Sequence, residues 1–372
     1  MSPGSGDMGM SLYEEPDLEM QIQEFNPLKT PYEVDERDLP RHGSLEEQYV
    51  FLLRYATLAP SSHNTQPWKF AVNEHGIEVY ADYTRRLPVA DPGNRELYMS
   101  VGAAIFNIRV AAAHFGIACR VDYNHTGDSE SPIAFIGLSP DATCGAQELS
   151  LAPLFASITR RHTNRNPFLF ARISRSTMEN LGSTGGRTQV ATYYSLDGAI
   201  NAEVANLVAI ADRMQQADPE FRRELSEWIR PNFTRKPDGI TGAAFGINGL
   251  ASAVGPWATK MFDLGSIRAA KDKNLCLEAP GLVVLYGEES IPVWLETGEA
   301  LEHLLLTITQ AGLQYSFFNM PIEIPELRTE LRKVLGLSSW PQLLLRIGFC
   351  LTEPAATPRR PVEDVLIDKK KP

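Results

Sequence analysis

Six consecutive residues, Arg160-Arg161-His162-Thr163-Asn164-Arg165, form the densest basic cluster in the chain. Guanidiniums present forked donors matched to phosphate oxygens, and a threonine hydroxyl adds one more, so such a run can converge on a phosphate. A solvated helix end would also look like this, because arginines are favoured near the negative end of the helix dipole. A second basic knot, Pro358-Arg359-Arg360-Pro361, could reach the same phosphate or simply form a surface turn. The run Ser61-Ser62-His63-Asn64-Thr65-Gln66-Pro67-Trp68 carries six adjacent hydrogen-bonding side chains. It suits an uncharged polar ligand with Trp68 as a packing wall, or else it is a solvent loop with Trp68 in the core. No carboxylate stands close by and no G-x-S-x-G surrounds either serine, so this is not a hydrolase triad. No G-x-G-x-x-G follows a strand, and the glycines from Gly182 to Gly186 are too few and precede a strand. The seven histidines lack metal-ligand spacing, and Cys119, Cys144, Cys276 and Cys350 are too scattered for a zinc site or a disulfide framework. Buried or inert thiols are expected, and no metal.

These runs need elements to hold them. Ser44 with Glu47 three residues later reads as a capping box opening the helix LEEQYVFLLRYATLA. That helix ends before Pro60, and the polar loop follows. KFAV and IEVYA then form a hairpin about His75-Gly76. A helix from about Leu97 to His114 and the strands IACRVDY and PIAFIGL complete a first half. The second half is helix-rich: FASITRRHTN, SRSTMENLG, NAEVANLVAIADRMQQA, DPEFRRELSEWIRP, VWLETGEALEHLLLTITQAG and IPELRTELRKVLG. Its strands are TQVATYYS, GLVVLYG and QLLLRIGFC. A Gly/Ala-rich stretch, about 238–257, has no clear period.

The two halves contain a repeat. Gly102, Ala104 and Gly116 match Gly298, Ala300 and Gly312 at a constant offset of 196, and Tyr98 pairs with Trp294. Each helix is followed by a strand segment and then an apolar strand ending Ile-Gly. A small residue early and a glycine at the end suit a buried helix packed closely on its twin and capped in the left-handed conformation. Two α+β halves packed as an internal pseudo-dimer are expected: an acidic, poorly ordered arm (1–43), a first half (44–145) and a second half (150–372).

Composition excludes several classes. The chain has 372 residues, room for two domains or one large one. Its 35 basic and 46 acidic residues give a net charge of -11, which argues against nucleic acid or an anionic membrane as the main partner. No apolar run reaches the ~18 residues that span a bilayer, and the N-terminus lacks the basic and apolar regions of a signal peptide. A soluble, cytoplasmic protein is expected.

Taken together, the motifs resemble the FMN-dependent nitroreductase family. LAPSSHNTQPWKF looks like that family's FMN-contacting loop, which would assign Pro60, Ser61, Ser62, Asn64 and Gln66 to the cofactor. RRHTNRNPF looks like its N-terminal FMN-phosphate motif, with Arg161, His162, Thr163 and Arg165 in register. LRIGFC followed by TPRRPVEDVL looks like its last strand and C-terminal phosphate-binding arginine, either Arg359 or Arg360, with Arg359 preferred by its distance to the following proline. The resemblance covers about Leu45 to Leu366. Ordinary members place the phosphate motif before the QPW loop in one short chain and share each FMN between two subunits. Here the loop precedes the phosphate motif by about a hundred residues and each occurs once, as in the tandem, single-chain Acg-type branch. The resemblance implies one complete FMN site between nitroreductase-like halves, with helices around antiparallel-type sheets, a second degenerate site, and a monomer with an internal pseudo-dimer. It implies a flavin N5 contact from backbone near Phe318, Asn319 or Met320, although Asn319 stands where the family has a small glycine.

The implied activity is hydride transfer from NAD(P)H through FMN to a small planar acceptor such as a nitroaromatic or quinone, with no catalytic side chain required. A second possibility is a flavin-sequestering protein without turnover, in which the segment GITGAAFGINGLASAVGPW forms a lid. A third is a structural protein that has lost its flavin.

Overall fold

The computed structural model describes residues 31–124, 130–140, 142–185, 189–247 and 249–367. The acidic arm up to residue 30, His125 and the last glycine of the Gly182–Gly186 stretch lie outside the described residues. Ser44 and Glu47 do form the capping box, with reciprocal bonds of 3.2 and 2.8 Å, and start α1 (Leu45–Ala56). The first half continues with β1 (Trp68–Asn73), β2 (Gly76–Ala81), α2 (Arg95–Phe115), β3 (Ala118–Tyr123) and β4 (Ala134–Ser139). Its sheet runs β1-β2-β4-β3, with every neighbour antiparallel. Two short helices, α3 (Ala146–Leu149) and α4 (Phe155–Ile158), lead into the second half.

There α5 (Arg175–Gly185) precedes β5 (Val190–Ser195), α6 (Gly198–Ala217) and α7 (Pro219–Trp228). The two-residue strands β6 (Ile229–Arg230) and β7 (Ile240–Thr241) pair in parallel, followed by α8 (Gly255–Met261) and α9 (Gly265–Leu277). Then come β8 (Gly281–Gly287), α10 (Ile291–Gln310), β9 (Gln314–Phe317), α11 (Met320–Glu323), α12 (Pro325–Val334) and β10 (Trp340–Gly348). The second sheet runs β5-β8-β10-β9, again antiparallel throughout. Setting β6 and β7 aside, both sheets have the order first, second, fourth, third. The fold is α+β, built as two related halves.

Periodicity explains the layers. Along β8, Val283 and Leu285 face α5 and α10 while Leu282 and Val284 face α6, α9 and α12, as alternation along a strand requires. The second sheet is therefore covered on both faces.

The halves meet where α2 crosses α10. A Cβ placed on Gly102 would lie 2.2 Å from the Leu295 carbonyl oxygen, and one on Gly298 would lie 2.0 Å from that of Met99. Each of these positions maps onto its counterpart by the offset of 196, so the crossing is two-fold symmetric. Tyr98 stacks on its repeat partner Trp294 at 5.9 Å. Gly116 and Gly312 cap the two helices at φ 74° and 71°.

The C-terminal segment crosses back to the first half. Phe70 N–H donates to the Val365 carbonyl at 2.8 Å, and Ile367 N–H donates to the Phe70 carbonyl at 2.7 Å, adding a parallel bridge to the edge of β1. Two sequence expectations need correction, and an alternative left open for Trp68 is decided. The helix expected over FASITRRHTN stops at Ile158, so the basic cluster is irregular chain. The stretch read without a clear period, about 238–257, runs into α8 at Gly255, and α9, to which the sequence reading assigned no element, follows. Trp68 is fully buried in the core of the first half and not in a ligand wall.

Candidate functional site

The chemistry-bearing runs converge on one cleft between the halves, with about 1080 Å³ of empty space that opens to solvent. The loop after α1 supplies Pro60 to Asn64. The chain after α4 supplies Arg161, His162, Thr163 and Arg165. The floor is Met99 and Ser100 of α2 with Leu301 of α10, and the C-terminal segment adds Thr357 and Arg359. Asn319, Met320 and Glu323, after β9, close the far side.

The polar loop holds an unusual backbone. His63, Asn64 and Gln66 all have positive φ, at 51°, 55° and 53°. Such conformations cost energy in non-glycine residues and persist only where surrounding bonds hold them. The bonds are present. Asn64 Nδ2 donates to the carbonyls of Gly239 and Pro358, both at 2.9 Å, and its Oδ1 accepts from Arg359 at 2.9 Å. Gln66 Nε2 donates to Pro237 at 2.8 Å, while its Oε1 accepts from the Arg360 N–H at 2.8 Å. These two amides latch the loop of the first half to two segments of the second.

The cations differ in how far they are spent. Arg161 is 1% exposed, bonds Leu58 and Tyr315, and lies 3.2 Å from the Glu302 carboxylate. Arg359 bonds Asn64, Thr357 and backbone carbonyls, but its Nε is buried without a partner. Arg165 has neither a hydrogen bond nor an ion pair among the described residues and lies over the Phe245 ring at 5.4 Å. Burial lowers its pKa, the mark of a guanidinium without a matched anion. His162 packs edge-on to Tyr32 at 4.6 Å, and burial with Arg161 and Arg359 nearby lowers it to about 4. It is neutral at pH 7. Tyr32 also sits under Arg359 at 5.4 Å, so the end of the acidic arm packs at the cleft.

Carboxylates line the opposite wall. Glu96 accepts from Ser62 Oγ and from Arg95. Glu323 accepts from Gln215, and burial together with the nearby Glu96 charge pushes it up to about 8. Its ordinary value is 4.5. As pH rises from about 4.5 to about 8, the unfolded chain ionises there while the folded chain stays protonated, so this group's contribution to stability is lost across that window. Glu323→Gln keeps an acceptor for Gln215 and removes the titration. Urea denaturation at pH 5 and pH 8.5 should show the variant gaining stability relative to the unsubstituted protein at the higher pH. Parallel pH profiles would show that Glu323 ionises normally.

Of the residues singled out by sequence, Pro60, Ser61, Ser62, Asn64, Arg161, His162, Thr163, Arg165, Asn319, Met320 and Arg359 all line this cleft. Gln66 and Arg360 do not. Gln66 is fully buried behind the loop, and Arg360 turns away to bond Gln66 and Asp364. Between the two candidate arginines, the structure puts Arg359 at the cleft. Met320 begins the four-residue α11, in which Pro321 has no N–H and those of Ile322 and Glu323 go to the Asn319 carbonyl. Phe318 is not in the cleft wall and its N–H is spent on Leu344. Sequence reasoning missed Glu96, Glu302, Tyr315 and Glu323. The available signal was acids inside apolar helices: Glu302 is fully buried in α10.

No family model matches the sequence. Among curated proteins, the chain is 28% identical over 322 residues to "Putative NAD(P)H nitroreductase Rv3131" of Mycobacterium tuberculosis, covering 85% of this chain and 90% of the relative. It is 26% identical over 320 residues to "Putative NAD(P)H nitroreductase acg" of the same species, covering 84% and 93%. A third relative, "Probable NAD(P)H nitroreductase PigM" of a Serratia species, is 24% identical over 87% of this chain and 94% of its own. The crystal structure of the FMN and NADPH-dependent nitroreductase NfnB from sphigopyxis sp. strain HMH aligns with 58% of this chain and 97% of its own, at 19% identity and a TM-score of 0.38. Two α+β halves sharing one cleft thus define a tandem architecture. Over most of its length the chain is related to proteins named as NAD(P)H nitroreductases, Acg among them, as its motifs indicated.

Proposed function

We propose that this protein is an FMN-dependent oxidoreductase that takes hydride from NAD(P)H and passes it to a small planar acceptor such as a nitroaromatic or quinone. The observation that carries the reading is the single cleft in which the Pro60–Asn64 loop of one half meets Arg161, Thr163 and Arg165 of the other. The relatives' names point the same way. The residues present fit FMN: Arg165 is unmatched, Arg359 has a buried orphan Nε, and both are cations facing one cleft in an acidic protein. A phosphate supplies the acceptors they lack.

In this reading Arg165, Arg359 and Thr163 hold the phosphate, and Arg161 braces them through Tyr315 while Glu302 balances its charge. Ser61, Ser62 and Asn64 face the polar edge of the ring, with Met99, Ser100 and Leu301 beneath it. The backbone near Asn319 and Met320 offers donors at the reacting edge. When bound, FMN supplies the centre that accepts and returns the hydride. The protein's part is to orient the ring and keep the latched loop rigid. A cytoplasmic setting fits the four free cysteines, and no helix among the described residues is long and apolar enough to cross a membrane.

The test is a visible spectrum of the purified protein before and after anaerobic NADPH or NADH. A flavin band that bleaches supports turnover. A colourless protein that takes up no FMN overturns the reading. Arg165→Gln should weaken FMN binding about tenfold or more, the scale of one charge-assisted hydrogen bond to the phosphate, as measured by fluorescence titration. An unchanged affinity would remove Arg165 from the phosphate site. One observation favours the flavin-holding alternative: Asp238, at the root of the Gly/Ala-rich segment, is pinned by Arg85 and Arg230, and Ile240 reaches the cleft. A band that persists with both donors would select that alternative.

A further inference from the structure

A second chamber adjoins the cleft and shares His63, Arg165, Ile240, Phe317, Met320 and Glu323 with it. Its other walls come from α6, α7 and α9, which have no counterpart in the first half, and from β9 and β10. Arg268, Lys271, Asp272 and Leu275 fall at helical spacing on one face of α9, and Asp212, Gln215 and Gln216 do the same on α6. Phe221, Phe245 and Phe318 make much of the remaining surface.

Two features set this chamber apart from a solvated crevice. The first is charge. Arg268, Lys271 and Arg346 stand against Asp212, Asp272 and Glu323, with Arg165, assigned above to the proposed phosphate, at the border with the cleft, and no ion pair within 4 Å joins any of them among the described residues. Burial pushes Asp212 up to about 7 and Glu323 up to about 8, and it raises Asp272. Near neutral pH the walls carry net positive charge. The second feature is an unsatisfied donor. Arg346 is 1% exposed and spends Nη2 on the Asn164 and Asn166 carbonyls, yet its Nε and Nη1 are buried without partners. Buried guanidinium donors left unpaired are costly, and an anion relieves that cost.

The geometry points to a binding site for an aromatic carboxylate, the ring between the phenylalanines and the carboxylate toward Arg268, Lys271 and Arg346. Phenylalanine walls with a cationic end match a flat apolar body carrying one acidic group, and match poorly the two phosphates of a dinucleotide. Because the chamber opens onto the cleft, its occupant lies beside the proposed flavin position. Its role as the acceptor's seat rests on the FMN reading, whereas the binding itself does not.

Calorimetry separates the two. Benzoate, benzyl alcohol and ADP-ribose are titrated into the purified protein, with the flavin band recorded on the same sample. Benzoate should bind at least tenfold more tightly than benzyl alcohol. Arg268→Gln and Lys271→Gln, at a half-buried and an exposed position of α9, should each weaken benzoate about tenfold and leave the benzyl alcohol signal as it was. Circular dichroism confirms that each variant is folded. Equal affinity for benzoate and benzyl alcohol overturns the proposal. So does weakening of ADP-ribose but not of benzoate in the variants, which would give the chamber to the nucleotide's phosphates. Benzoate binding in a protein that shows no flavin band even after FMN is supplied keeps the site and sinks the FMN reading; a flavin band without benzoate binding does the reverse.

Discussion

Gly298→Ala should be among the most damaging single-methyl changes this chain can suffer. The new carbon would sit 2.0 Å from the Met99 carbonyl oxygen and 2.9 Å from the Ala103 nitrogen. Both are backbone atoms of α2, so no side chain can swing away and the helices must separate. Overpacking in a core costs about 1–3 kcal/mol and occasionally more. A backbone-to-backbone clash belongs at the top of that range, about 3 kcal/mol. The damage reaches the site because Met99 and Ser100 on one helix and Leu301 on the other form its floor. Urea denaturation should show the loss, and the purified variant should carry less FMN. Gly102→Ala should behave likewise, with its carbon 2.2 Å from the Leu295 oxygen. The double variant should lose less than the sum, since the first substitution already opens the crossing that the second needs. Full additivity, or an unchanged midpoint for either single variant, would contradict the crossing described.

Asn64→Ala should be comparably severe for a different reason. One side chain serves three partners: the carbonyls of Gly239 and Pro358 and the guanidinium of Arg359. Alanine leaves the Gly239 carbonyl unmatched, at about 1–3 kcal/mol for a buried group without a bond, and strips one bond each from the Pro358 carbonyl and Arg359, which still bond each other. It also places a residue less tolerant of the left-handed region at φ 55°. A total near 3 kcal/mol is expected, since some of the freed groups will find water. Asn64→Asp gives a contrast. It keeps the acceptor for Arg359 but faces two carbonyls with a carboxylate and adds negative charge where a phosphate is proposed. Its stability should fall less than that of the alanine variant, while its FMN affinity should fall at least as far. Equal FMN affinity in both variants would mean that Asn64 acts only as a latch.

Much of this was legible from residue types. The glycine pairs at 102/298 and 116/312 announced a repeat because only glycine permits the crossing and the left-handed caps. The capping box at Ser44 and the short apolar run in GLVVLYG likewise act locally, so sequence suffices. The cleft residues were found as runs, since each loop brings several of them together. What escaped was set by tertiary packing. Asn64 and Gln66 read as ligand groups, yet their amides mostly bond other segments of the chain. Arg359 and Arg360 are neighbours with equal chemistry, and only the path of the C-terminal segment turns one in and one away. Helix α9 carries Arg268, Lys271, Asp272 and Lys273 and shows little apolar period, because one of its faces lines a polar chamber.

The route of that C-terminal segment also fixes when the site can exist. Arg359 bonds Asn64 across 295 positions of sequence, and beyond it the segment is anchored again where Val365 and Ile367 bond Phe70. Ribosomes release chains from the N-terminus onward. The first half can fold, and α10 can dock on α2, while the last stretch is still inside the exit tunnel, but the proposed phosphate end of the cleft then lacks a wall. On the FMN reading, cofactor capture therefore waits for the segment around Arg359, and a proteolytic nick near residue 355 would return the protein to that unloaded state.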